Sequence, residues 1–307
     1  MTDRQTVDKP SPATRFSTLA ARRFFLPLSG ALRRECQGQT ATFPALWAGT
    51  LWAGSLILWL AVLIGTPVVL WLAGEGPFPR AATLGVLAQA AATLFALACG
   101  WPVRRLVGVA AIVLPATWAI EKVGVTTGWL FGHYVYTGAL QPQLAGVPIL
   151  IPFAWLMMLA PAWAVAGTIL PRRAASPGWW YRLRYAALSG LAFTAWDLYL
   201  DPQMVARRLW LWDEPSGYFG IPWLNYLGWW CTATLLTLIV GPGSRELPRL
   251  RLMIIYSLTW LFQVVGLGLF WGQPGPALCG FAAMGVFAIL SWRQEMGRWS
   301  RLPAPQL

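Results

Sequence analysis

Four side chains that could move a proton or hold a water lie in segments that are otherwise apolar: Glu121, Asp197, Asp201 and Asn225. Asp197 and Asp201 are four residues apart, so on a helix both face the same side. Two carboxyl groups in an apolar site cannot both ionise cheaply, and one of them should hold a proton. A neutral acid beside a carboxylate is suited to general acid and base catalysis. Glu121 and Asn225 are suited to orienting a water.

Each of these residues also has a structural interpretation. Asp201 precedes Pro202 and could end a helix in contact with solvent, while Glu121 could pair with Lys122 or be solvated at a helix end. Asn225 must form a hydrogen bond to something if it lies at membrane depth. Ionisable residues inside a membrane are costly, which favours the functional interpretation.

Histidine and aromatic residues surround these positions along the chain. The segment 121–136, EKVGVTTGWLFGHYVY, contains the only histidine. An imidazole can shuttle protons near neutral pH, and tryptophan faces can stabilise a cation, although tyrosine and tryptophan also serve as membrane-interface anchors. The candidate substrate-contacting residues are His133, Tyr134, Tyr136, Trp155, Trp196 and Trp229.

The elements that must position these residues are membrane helices. The chain is 57% hydrophobic and 11% charged, with a mean hydropathy of +0.54, and its apolar runs are long enough to span a bilayer. The runs are continuous rather than alternating, which favours helices over a barrel. We predict an all-α integral membrane protein with eight spans, at about 47–71, 81–100, 105–121, 149–170, 185–203, 219–240, 250–271 and 276–292.

The positive charges predict the orientation. Of the 23 Lys and Arg residues, 19 fall in the two tails and the alternate loops that would share their side, and 4 fall on the opposite side. This distribution indicates cytoplasmic termini in a multi-pass protein of the cell (cytoplasmic, inner) membrane. It also accounts for the net charge of +12 without a nucleic-acid partner.

This topology brings the candidate residues to one depth. At 1.5 Å per residue, Glu121 lies roughly 24 Å along the third span and Asp197 roughly 20 Å along the fifth, both running outward. Asn225 lies about 8 Å below the outer surface on the sixth span. We therefore expect a site in the outer leaflet, opening to lipid, with the 133–136 loop as a lid.

We divide the chain into a basic, partly disordered cytoplasmic tail (1–45), a transmembrane domain (46–293) with its functional core at about 105–240, and a cytoplasmic C-terminal tail (294–307). The four cysteines lack paired spacing, and a single histidine supplies no zinc ligand set. We expect no disulfide framework and no metal site.

Several motifs resemble the carotenoid 1,2-hydratases, the CruF-type enzymes related to bisanhydrobacterioruberin hydratase. The resemblance covers about residues 115–232. It rests on 121–136, LAGVPILIPFAW (144–155), WDLYLDP (196–202), GYFGIPWLN (217–225) and Gly228-Trp229.

The resemblance implies addition of water across the terminal 1,2 double bond of an acyclic carotenoid end, of the lycopene or γ-carotene type, without a cofactor. Protonation at C2 would leave a tertiary cation at C1 for water to capture. This chemistry fits Asp197 as the acid with Asp201 beside it, and Glu121 and Asn225 orienting the water, although Glu121 and Asp197 could exchange roles. The substrate would come from the bilayer, with membrane lipids and other carotenoid-biosynthesis enzymes as partners.

Two other classes remain open on the residues alone. Asp197-x-x-x-Asp201 could hold Mg²⁺ and a diphosphate in a membrane prenyltransferase, but a second Asp-rich motif and basic residues are not evident. A transporter or a non-enzymatic carotenoid- or lipid-binding protein could use the same carboxylates as ion sites. A transporter should expose its site to both sides, whereas these acids are expected in one leaflet.

Overall fold

The computed structural model describes residues 28–32, 35, 43–171, 178–242 and 247–301, so the predicted N-terminal tail lies largely outside the described residues. Eight long helices account for most of this part of the chain. They are α1 (Phe43–Ala73), α2 (Phe78–Ala98), α3 (Val103–Thr127), α4 (Leu150–Ile169), α5 (Trp179–Ala206), α6 (Trp223–Val240), α7 (Arg249–Val265) and α8 (Pro274–Trp299). A π-helical turn, Gly266–Phe270, extends α7.

Among the described residues, seven of these helices are long and apolar enough to cross a membrane. The eighth, α5, is less apolar because it carries Arg182, Arg184 and both candidate aspartates. The predicted all-α multi-pass membrane protein is confirmed. The helices differ from the predicted spans mainly at their ends, where α3 continues to Thr127 and α8 to Trp299. Polar residues at a helix end can leave the apolar layer without breaking the backbone hydrogen bonds, so hydropathy underestimates helix length.

The helix α4 is the centre of the bundle. It packs against α2, α3, α5, α7 and α8, and it is almost entirely buried. Its sequence has no charged residue and alternates large side chains with alanines, which lets neighbouring helices approach closely. Hydrogen bonds between helices add to this packing, for example from Tyr185 to the carbonyl of Trp163 (3.1 Å) and from Trp163 Nε1 to Thr237 Oγ1 (2.8 Å).

Short strands cover one end of the bundle, which we call the site end: the end where α3 and α5 finish and α4 and α6 begin. Strand β1 (Tyr134–Tyr136) pairs antiparallel with β4 (Trp210–Trp212), and β2 (Gln143–Leu144) pairs with β3 (Val147–Pro148). Tyr134 lies opposite Trp212, and Tyr136 lies opposite Trp210. The segment that we expected to be a loop over the site therefore contains a strand held by the α5–α6 connection.

The cysteines correct one expectation. Cys99 is disulfide-bonded, while Cys231 and Cys279 are free. The spacing of cysteines did not predict this bond, because pairing requires close approach of the two Cα atoms in the fold and not a short separation in sequence.

Candidate active site

Glu121 is a buried carboxylate surrounded by hydrogen-bond donors. It lies in the last two turns of α3 and is 3% exposed. Its Oε2 accepts from the hydroxyls of Tyr134 (2.5 Å) and Tyr136 (2.8 Å), and its Oε1 accepts from Trp155 Nε1 (2.9 Å). Glu121 accepts three hydrogen bonds and donates none, as expected of an ionised carboxylate, which has no proton to donate. Charge-assisted hydrogen bonds of this kind offset the cost of burying the ion.

Two close approaches bring the tyrosine strand onto α3 and α6. A Cβ at Gly228 would lie 2.2 Å from the carbonyl oxygen of Leu130, and one at Gly124 would lie 2.6 Å from the ring of Phe131. Both distances are shorter than real Cβ contacts, so the chain at 130–131 can lie against α3 and α6 only where these helices have glycine. Since β1 follows directly, the two glycines determine how far the tyrosine hydroxyls reach.

The tyrosines act as permanent donors. Burial, reinforced by the Glu121 carboxylate, raises the pKa of both Tyr134 and Tyr136 well above the ordinary tyrosine value. A phenol whose pKa is raised in this way remains protonated throughout the physiological range. Both hydroxyls therefore donate to Glu121 throughout the physiological pH range.

The second polar group consists of Asp197, Asp201 and Asn225, all of which are buried. Asn225 Nδ2 donates to Asp201 Oδ2 (2.5 Å) and lies 3.2 Å from Asp197 Oδ2. The Asn225 amide thus holds the two carboxyl groups close together, and two such groups in an apolar site cannot both ionise cheaply. Trp210 Nε1, from β4, donates to Asp201 Oδ1 at 3.1 Å.

Both groups meet at one small cavity of about 60 Å³. Glu121, Asp201 and Asn225 line it, together with both tyrosines. A cavity needs roughly 10–15 Å³ to hold one water, so this one has room for a few waters or for a small apolar group with one water. The polar atoms are gathered on its walls, and the rest of the lining is apolar.

Asp197 lies behind Asp201 and does not line this cavity. It is fully buried, and its Oδ1 has no hydrogen-bond partner within the described part of the chain. The geometry therefore reverses the expected order of the two aspartates, because Asp201 faces the cavity and Asp197 supports it. Sequence spacing put both on one side of α5 but could not say which turn reaches the cavity.

Stacked aromatic rings form one wall. Trp155 stacks on Trp229, with 4.7 Å between ring centroids, and on Phe193, with 4.8 Å. Trp155 and Trp229 line the cavity. Trp196 meets Phe193 and Trp229 edge-on in a second layer and lines a neighbouring cavity instead.

Most of the predicted site residues are thus brought together, Asp197 and Trp196 lie in a layer behind the cavity, and His133 lies outside the site. Its side chain is exposed, its ring lies over Gly128, and its backbone carbonyl accepts from Asp213. Sequence reasoning missed two contributors, Trp210 as a donor to Asp201 and Phe193 in the aromatic wall. Trp210 lies in a Trp-Leu-Trp alternation, which is the signal of a strand with one covered face.

No ion pair among the described residues involves Glu121, Asp197 or Asp201, so the alternative of a Glu121–Lys122 pair does not describe this chain. No three His, Cys, Asp or Glu side chains in the described ranges are grouped as a metal site. The side chains that donate hydrogen bonds to these carboxyl groups within the described ranges are neutral.

The sequence model of a family described as "Carotenoid biosynthesis protein" matches residues 81–287, more than half of the chain. The chain belongs to this family. The matched range includes every residue of the site described above.

Bisanhydrobacterioruberin hydratase of Haloarcula japonica is similar, with 31% identity over 191 residues, which are 61% of this chain and 62% of that relative. The chain therefore spans less than two thirds of the length of this curated relative. These similarities confirm the resemblance to carotenoid hydratases. No solved structure matches the chain.

Proposed function

We propose that this member of the carotenoid biosynthesis family is a carotenoid 1',2'-hydratase. It adds water across the terminal C1–C2 double bond of an acyclic end group and gives a tertiary alcohol. The observation that carries the proposal is the pairing of two polar groups across one apolar cavity. One is the Asp197–Asp201 pair, to which we assign one shared proton, and the other is Glu121, whose three hydrogen-bond donors favour the ionised form. Hydration of an unactivated alkene needs a protonated acid that gives a proton to carbon and an ionised base that takes a proton from water.

In the first step Asp201 gives a proton to C2. The π electrons of the double bond form the new C–H bond, and C1 becomes a tertiary cation. This leaves Asp197 and Asp201 as two carboxylates facing the new cation, while the Asn225 amide stays hydrogen-bonded to both. Asn225 thus holds the two carboxyl groups at a fixed separation during the transfer.

In the second step the cation at C1 captures a water, with Glu121 as the base. A water beside Oε1 or Oε2 adds through its oxygen to C1 and loses one proton to the Glu121 carboxylate. The donors Tyr134, Tyr136 and Trp155 fix the orientation of that carboxylate. A proton then returns from Glu121 to the aspartate pair through the cavity, which restores the starting state.

The aromatic wall suits the cation formed between these steps. Trp155 and Trp229 line the cavity beside the carboxylates, and a cation over the face of an aromatic ring in a desolvated site is stabilised by about 2 kcal/mol. The net reaction adds the atoms of one water and changes no other group. We therefore propose a hydro-lyase that needs no cofactor.

The location follows from the helices and the substrate. We propose that the protein lies in the cytoplasmic membrane with both termini in the cytoplasm and takes its carotenoid from the lipid. Membrane lipids, and other enzymes of carotenoid biosynthesis, are its expected neighbours. We propose no nucleic-acid partner, because the positive charge follows the loops of one side.

The test is expression in a lycopene-producing host with mass analysis of the pigment. A product heavier than the substrate by one water supports the proposal, and Asp201→Asn should abolish it. The matched control is Asp213→Asn, at an exposed aspartate of the α5–α6 connection, which should leave the product unchanged. Bound but unmodified pigment with the parent protein would favour a carotenoid-binding protein, and activity that depends on Mg²⁺ and a prenyl diphosphate would favour a prenyltransferase.

A further inference from the structure

A second cavity, of about 750 Å³, lies beside the first and is more than ten times larger. It is bounded by α1, α2, α4, α5, α7 and the π-helical turn. Its lining is largely apolar, and it runs along α1 from Trp59 to Trp71. Twelve residues of helix correspond to about 18 Å, which is more than half of the roughly 30 Å hydrocarbon core of a bilayer. We call this cavity the groove.

The groove and the small cavity share a wall. Five residues line both: Ala82, Val86, Met157, Leu200 and Met204. They come from α2, α4 and α5, so the two spaces meet where these three helices approach the site end. The side chains of these five residues therefore form the layer between the groove and the cavity that Asp201 lines.

The groove opens to the side and is closed at the site end. Large apolar residues at its rim are exposed, including Trp71 (84%) and Leu269 (77%), on helices that face the membrane. At the site end Arg207 pairs with Glu75, and its guanidinium lies over Phe78 at 4.0 Å and over Trp271 at 5.2 Å. Glu75, Phe78 and Trp271 all line the groove. A ligand would thus come laterally from lipid.

The inner wall contains polar atoms that an acyl chain would not use. Gln203 is 4% exposed, and its Oε1 has no hydrogen-bond partner within the described residues. Trp196 Nε1 is also buried and has no hydrogen-bond partner within the described residues. Both residues line the groove, and Gln203 lies between two of the shared-wall residues, Leu200 and Met204. A buried amide oxygen without a donor favours a ligand that gains a hydroxyl at this point.

We propose that the groove binds the polyene chain of the carotenoid, with its end group in the small cavity and the remainder extending from the site end along α1 toward Trp59. This inference rests on the proposed function and identifies how a long apolar substrate reaches a cavity of about 60 Å³. The Oε1 of Gln203 then accepts a hydrogen bond from the new tertiary hydroxyl as the product withdraws.

Gly85 allows a direct test. It lines the groove but not the small cavity, and a Cβ there would meet only Val62 Cγ1 at 3.6 Å, an ordinary contact. Gly85→Phe therefore fills the groove while leaving the acids in place. Gly65 is the matched control, because it lies at a similar depth on α1, does not line the groove, and has no atom within 4 Å of an added Cβ.

The probe is lycopene, measured as the hydrated product and as the pigment retained by the purified protein. Gly85→Phe should lower both at least tenfold, and Gly65→Phe should leave both within twofold of the parent. Unchanged hydration and retention in Gly85→Phe would overturn the inference. If Gly85→Phe does not fold, the same two measurements on Gly85→Leu and on its control Gly65→Leu test the inference. Pigment retention separates the two proposals, since a parent protein that binds lycopene in the groove without hydrating it contradicts only the proposed function.

Discussion

Replacing Glu121 by glutamine should abolish hydration and leave the protein folded. The side chain keeps its shape, and the three donors around it can be satisfied again. The amide oxygen can accept from Trp155 Nε1, which is unable to accept in return, and the amide NH₂ can donate to the hydroxyl oxygens of Tyr134 and Tyr136. The new residue has no basic lone pair for a water proton.

The expected loss of hydration rate follows from the role of Glu121 as the general base. General base catalysis contributes roughly 10²–10⁴-fold, which corresponds to about 2.7–5.4 kcal/mol of transition-state stabilisation. We therefore expect Glu121→Gln to retain at most about 1% of the hydration rate. The neutral glutamine forms weaker hydrogen bonds than the carboxylate, which lowers stability, but no ion has to be buried, which raises it. These two effects oppose each other, so the melting temperature should change by only a few degrees.

The assay is the rate of hydrated product from lycopene at equal amounts of folded protein, with thermal unfolding measured in the same detergent. Glu295→Gln is the matched control, because Glu295 is also a buried glutamate (8% exposed) but pairs with Arg298 on α8. The control should keep full activity. If folded Glu121→Gln keeps more than a tenth of the parent rate, Glu121 is not the base and our reading of its three donors is wrong.

Two further predictions concern the other groups of the site. Asn225→Leu removes the amide that bridges Asp197 and Asp201. A hydrogen bond to a charged group contributes about 1.5–3 kcal/mol, so this variant should lower the hydration rate roughly 10- to 150-fold. An unchanged rate would show that the pair does not need the bridge. Tyr134 and Tyr136 should stay neutral in the folded protein, since their pKa values are raised. A spectrophotometric titration to pH 11 should therefore give the same tyrosinate absorbance for the folded parent and the double Phe variant, with a difference of two tyrosinates appearing only on unfolding. Because the folded pKa values exceed the unfolded ones, this contribution to stability is complete below about pH 10 and declines above it; equal pH dependence of stability in both proteins would contradict the assignment.

Much of the architecture follows from the order of residues alone. Continuous apolar runs must be helices in a bilayer, because lipid offers no partner for the backbone hydrogen bonds, and each run gave one helix of the bundle. Since every span rises by a fixed amount per residue, the depth of a side chain could be computed from its position. That is why Glu121, Asp201 and Asn225 were expected in one layer and are found around one cavity.

The details within that layer could not be obtained in this way. The pairing of β1 with β4 joins residues more than 70 positions apart, and it is this pairing that places Trp210 beside the tyrosines and lets it donate to Asp201. His133 had the most reactive side chain in its segment, yet it lies outside the site, because it precedes β1 and its exposed ring lies over Gly128, whereas Tyr134 is the buried first residue of the strand.

The sequence by itself determined which residues could carry charge into the membrane and how deep they lie, because both depend on local composition and on helix rise. Only the tertiary structure decided that Asp201 rather than Asp197 faces the cavity, that Gly124 and Gly228 let a tyrosine strand reach Glu121, and that a groove adjoins the site. These features depend on the rotation of each helix about its axis and on contacts between distant segments. Neither quantity is specified by any single stretch of the chain.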